Sequence, residues 1–226
     1  MKSYYPVIRA LSLVILMFGM TMLLPLGLSW LLDDGALGAF DEAFLLTTGT
    51  GFGLWYVTRR VNGDLTIRDG FLMVALVWTV LPVYASLPLV LQLNLSFTEG
   101  YFEAVSGLTT TGATVLTGLD TLPASINFWR TQLVWLGGMG LIVLAVAILP
   151  LLGIGGRQMF KAETPGPMKD AKMTPRIAET AKGLWVVYSL VSVCCLLAYH
   201  WAGMSWLDAV MHMFATMGLG GFSSHD

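Results

Sequence analysis

Two long apolar segments, residues 70–95 and 128–152, flank a stretch that cannot cross a bilayer. Phe97–Leu108 is too short and too polar to span, yet long enough for about three turns of helix. The run Thr109-Thr110-Thr111-Gly112-Ala113-Thr114 comes directly after it. A short helix that enters the membrane and turns back leaves this run as irregular backbone at membrane depth. Such backbone is tolerated only where it is buried in protein or lines a water-filled cavity. A row of carbonyls along a cavity can replace the hydration shell of a cation.

The rest of the chain reads as a scaffold for that run. Of its 226 residues 56% are hydrophobic and 12% charged, with a mean hydropathy of +0.73, which is the balance of a polytopic membrane protein. The apolar run 10–32 begins like a signal peptide but is too long and lacks a small-residue cleavage site; it is a first span, bent near Pro25. A weaker span follows at 43–58, closed by Arg59-Arg60 and the turn signal Asn62-Gly63-Asp64. With 70–95, 128–152 and 183–202 the spans number five, and a second short segment, Trp206–Met217, precedes Gly218-Leu219-Gly220-Gly221-Phe222-Ser223. The expected fold is an all-α polytopic membrane protein: five transmembrane helices plus two re-entrant pore helices with filter loops. Its parts are a two-helix extension (1–68), a first span–pore-helix–span module (69–156), a cytoplasmic linker (157–180) and a second module (181–226) that stops after its loop.

Charge placement orients the chain. Eleven of the twelve Lys/Arg lie near the N-terminus, at 59–68 or at 157–182, and Arg130 is the exception. Alternate loops are therefore basic, which makes them and the N-terminus cytoplasmic. The opposite face holds Asp33, Asp34, Asp41, Glu42, Glu99, Glu103, Asp120, Asp208 and Asp226. An acidic outer mouth concentrates cations and disfavours an anion path.

A shift of 109 positions superposes the two halves. Ser96-Phe97-Thr98-Glu99 falls on Ser205-Trp206-Leu207-Asp208, Gly112 on Gly221 and Thr114 on Ser223. Both copies start on the cytoplasmic side, so these are parallel repeats, which place a rotation axis along the membrane normal. The residue types suit a cation path on that axis. Gly112 and Gly221 can take backbone angles closed to other residues, and Thr109–Thr111 are stiff and favour extended backbone. Both short helices aim negative C-terminal ends at the loops. The span centres hold no Asp, Glu, Lys or Arg, and no paired acid, base or metal cluster supports an enzyme. No nucleotide, zinc or nucleophile-elbow motif appears, and the adjacent Cys194 and Cys195 read as free thiols. Gly137-Gly138-Met139-Gly140 allows close helix approach or backs the loop. Gly153, Gly155 and Gly156 read as a helix end or a hinge, and 161–176 as a solvated loop or a docking surface. His200 reads as an interfacial or packing residue. His212, in the repeat slot of Glu103, either packs or tunes the mouth.

Leu108-Thr-Thr-Thr-Gly-Ala-Thr114, Gly137-Gly-Met-Gly140, Ile148-Leu-Pro150, Gly153-Ile-Gly-Gly156, Lys172-Met-Thr-Pro-Arg-Ile-Ala-Glu-Thr180 and Gly220-Gly-Phe-Ser223 together resemble the membrane subunit of bacterial Trk-type potassium uptake systems. The resemblance covers essentially the whole chain and corresponds to the N-terminal half of such a subunit. It implies four span–pore-helix–span modules around one pore in the bacterial inner membrane, as in other four-segment potassium filters. It also implies a homodimer, a cytosolic nucleotide-binding regulatory ring subunit, and K⁺ as the transported ion with no organic cofactor or nucleic acid. Carried onto matching positions, the ion contacts are carbonyls of Thr110, Thr111 and Gly112, then of Leu219, Gly220 and Gly221. Half of such a filter does not enclose an ion, so the alternative is a non-conducting fragment that serves as a membrane assembly or binding module.

Overall fold

The computed structural model describes residues 4–60, 67–148 and 173–225. It is helical, with no strand among the described residues. The order is α1 (Tyr5–Thr21), α2 (Leu23–Leu32), α3 (Leu37–Thr58), α4 (Ile67–Leu93), α5 (Phe97–Leu108), a 3₁₀ turn (Leu119–Thr121), α6 (Ala124–Ile148), α7 (Met173–Trp201) and α8 (Trp206–Gly218). Among the described residues three stretches are long and apolar enough to cross a membrane: Tyr5–Leu32, Arg68–Leu93 and Glu179–Trp201. The expected hinge region at 153–156 and the linker residues 157–172 lie outside the described residues.

The first span is bent as the sequence implies. Pro25 has no N–H, so the carbonyl of Thr21, one turn back, loses its helical partner and the helix breaks at Met22. The Gln132 side chain on α6 donates to that orphaned carbonyl at 3.0 Å. Several boundaries shift by a few residues, and two shift most. The second span starts at Leu37 rather than 43, and Asp41 and Glu42 lie inside the helix with their side chains exposed. Thr47 and Thr48 on the same helix donate their hydroxyls to Ala43 and Phe44 carbonyls, which lets polar residues sit in an apolar setting. The helix of the last span begins at Met173, so the C-terminal end of the expected linker is already helix; Pro175 falls in its first turn, where no intrahelical N–H is required.

One fully buried indole organises the centre. Trp129 of α6 meets Phe18 of α1 (centroids 5.7 Å apart) and Phe40 of α3 (6.3 Å), and its N–H donates to the Ala85 carbonyl of α4 at 2.9 Å. Burial of the aromatic ring and satisfaction of its polar handle thus fix four helices at one point. The short helix α5 packs between α4 and α6, and α8 between α6 and α7. At about 1.5 Å per residue α5 is roughly 18 Å long, well short of the roughly 30 Å hydrocarbon core. The α6–α7 contact is aromatic: Trp135 meets Trp185 and Tyr188 and donates its N–H to Ser192, and it also meets Phe214 of α8.

Candidate ion-binding loops

Both short helices start and stop in the same way, 109 residues apart. Ser96 and Ser205 cap them, accepting from the N–H groups of Glu99 and Asp208. At the other end, Thr110 N–H donates to Gly107 and Thr111 N–H to Ser106; Leu219 N–H donates to Thr216 and Gly220 N–H to Ala215. These are matching helix-ending motifs whose left-handed position usually falls to glycine. Here it is occupied by Thr110 (φ 55°) and Leu219 (φ 56°), and Gly112 and Gly221 follow two residues later, each at φ 76°. The sign of φ therefore alternates along 110–112 and again along 219–221. In an extended strand successive carbonyls point to opposite sides. Alternating left- and right-handed residues undoes that and turns successive carbonyls towards one side. Among the described residues the carbonyls of Thr110, Thr111, Gly112, Leu219, Gly220 and Gly221 accept no hydrogen bond. Each is an acceptor left for water or a cation.

The loops lie against each other and against α6. A methyl placed on Gly112 would overlap the Gly220 carbonyl oxygen, and one on Gly220 would come 3.4 Å from the Thr110 Cα. A Cβ at Gly137 would overlap the Leu108 carbonyl, and one at Gly138 would meet the Gly218 Cα at 2.8 Å. The glycine pair of α6 thus does both jobs the sequence left open: it allows close approach, and it backs the ends of both short helices.

Glu103 does not belong to the outer mouth, where the charge pattern placed it. It is fully buried and paired with Arg130, also buried, at 2.7 Å. An isolated buried carboxylate is costly and is compensated only by a partner and further hydrogen bonds. Glu103 has both: its carboxylate accepts from Arg130 Nε (2.9 Å), the Thr114 hydroxyl (2.9 Å) and the Val115 N–H (3.1 Å). The one signal in the sequence was Arg130 itself, the cation outside every basic cluster.

A different cluster joins the loop after the first run to the end of the chain. His225 bridges Asp120, in the loop after the first run, and Asp208, on α8. Asp120 beside the ring raises the imidazole pKa above its ordinary value, against slight desolvation and with help from Asp208. The raised folded-state value means the bridge is fully charged below the ordinary histidine range and is lost as pH rises through the raised value. Asp120→Asn is expected to move the His225 titration back towards 6.5, read from its imidazole proton resonances. His212 lies behind it, tilted against Tyr199 and stacked towards His225, with Ser224 Oγ 3.4 Å from its Nε2. His200 stacks on Trp206 at 3.7 Å between centroids, a packing role.

A family model described as a cation transport protein, TrkH, matches residues 38–226. This chain belongs to the TrkH family. The family consists of transport proteins, not enzymes. Among relatives of this TrkH-family chain, the Trk system potassium uptake protein TrkH of Halomonas elongata is 52% identical over 97% of the chain and 46% of its own length. The protein of the same name from Escherichia coli K12 is 51% identical over 96% of the chain and 46% of its own length. The crystal structure of the potassium transporter TrkH from Vibrio parahaemolyticus superposes with a TM-score of 0.86 at 45% identity, covering all of this chain and 45% of that one. The chain spans a little under half the length of these relatives.

Proposed function

We propose that this TrkH-family chain supplies two segments of a backbone-carbonyl filter through which potassium is taken up across the bacterial inner membrane. The observation that carries the reading is the paired alternation of φ at Thr110–Gly112 and Leu219–Gly221, with six carbonyls that accept no hydrogen bond among the described residues. The negative ends of α5 and α8 favour a cation beside those loops. The chemistry at this site is desolvation and replacement of water by carbonyls, with the ion as cargo. In this reading 1–68 is an N-terminal extension, 69–156 and 181–226 are modules around the pore, and 157–180 faces the cytoplasm with the N-terminus. The partners that fit are a second copy of the full-length subunit and a cytosolic nucleotide-binding ring that gates it; the relatives named for potassium uptake support the choice of ion.

Two loops form an arc, not a ring. Expressed alone in cells lacking potassium uptake, the 226 residues are expected to restore no growth at low external potassium. A full-length transporter carrying this stretch is expected to restore it. Growth from the stretch alone would contradict the shared-filter reading, and a well-expressed full-length form that moves no potassium would favour a purely assembling role.

A further inference from the structure

We propose that the Glu103–Arg130 pair is the positioning device for both loops, and that cation discrimination depends on it; this rests on the carbonyl-filter reading above. The pair touches each loop just past its left-handed glycine. On the first loop, Glu103 accepts from the Thr114 hydroxyl and the Val115 N–H, two and three residues after Gly112. On the second, the Arg130 guanidinium lies 4.7 Å over the ring of Phe222, the residue after Gly221. Arg130 also donates to Thr114 and to Asn127, and Asn127 in turn donates to the carbonyls of Leu119 and Ser224. A single buried network therefore sets the exit of both loops from a rigid helix, α6. The exit direction of a loop fixes the tilt of the peptide planes immediately before it, and so the aim of their carbonyls.

Stability alone is a poor reason for such a pair. Well-packed apolar side chains of similar volume often do as well or better in the same space. What apolar side chains cannot do is hold an N–H, a hydroxyl and an aromatic face at fixed positions. The second copy is built differently, for the position equivalent to Glu103 is His212, near Ser224. That loop takes its charged support from Arg130 of the first module, through Phe222.

The test uses a full-length transporter carrying this stretch, with rubidium and sodium uptake normalised to protein in the membrane. Glu103→Gln keeps the shape, but its one oxygen cannot serve both Arg130 and the Val115 N–H without turning an amide N–H₂ against a donor. Arg130→Lys keeps the charge and loses the planar fork and the stacking. Each is expected to lower the rubidium-to-sodium ratio on the order of tenfold, the size of one lost charge-assisted hydrogen bond. The double variant Glu103→Leu/Arg130→Met is expected to reach the membrane and show the same loss. An unchanged ratio in variants that reach the membrane would overturn the proposal, as would absence of all three from the membrane, which would make the pair an assembly element. Gly112→Ser separates the two readings: an unchanged ratio there removes the filter itself, whereas a changed ratio there with unchanged pair variants removes only the positioning role.

Discussion

Gly112→Ser is expected to lower potassium-over-sodium discrimination about tenfold in the protein that reaches the membrane, a larger change than the fall in its abundance. Gly112 sits at φ 76°, where a side chain costs on the order of 1 kcal/mol. Its new Cβ would also overlap the Gly220 carbonyl oxygen, so the second loop must yield as well. One substitution thereby disturbs both loops, and displaced carbonyls hold a partly hydrated ion for which sodium competes better. About 1.4 kcal/mol of lost differential binding is a tenfold loss. If the run were only a helix end, membrane abundance would fall and the ratio in the remaining protein would stay unchanged. Normalised rubidium and sodium uptake separates the two outcomes.

Gly137→Val is expected to have the largest effect on assembly. Its Cβ would overlap the Leu108 backbone, which is the end of α5 and cannot rotate away as a side chain can. Overpacking of this kind costs typically about 1–3 kcal/mol, and more where backbone is the obstacle. The expected result is a marked drop in both melting temperature in detergent and membrane abundance. Gly53→Ala on α3 is the matched control. Nothing lies within 4 Å of its built Cβ, so a neutral or slightly stabilising change is expected there. Equal stability of the two variants would mean that α6 does not back the short helices.

Length, polarity and the 109-residue repeat, all readable along the chain, made the two short helices legible. Ser96 with Glu99 is a reciprocal cap, Ser205 with Asp208 repeats the serine cap, and α5 runs over Phe97–Leu108 as the sequence predicts. The bend before Pro25 was legible for the same reason, since a missing N–H acts one turn away. What escaped were pairings between distant segments. Nothing in the spacing of Glu103 and Arg130 says that they meet, and an acidic residue on the side opposite the basic loops reads as a mouth charge until its burial is known. Trp129 was equally silent, because an apolar period marks a buried face and does not name the neighbours on it. His225, two residues from Ser223, was unreadable without the fold that brings Asp120 and Asp208 to it.

The most direct measurement is anomalous scattering from rubidium in crystals of a full-length transporter carrying this stretch. Density is expected on an axis bounded by the carbonyl oxygens of Thr110, Thr111 and Gly112 on one side and of Leu219, Gly220 and Gly221 on another, and excess sodium should leave it in place. Rubidium bound elsewhere, with these carbonyls facing only water or protein, would contradict the assignment of the two loops as the ion path.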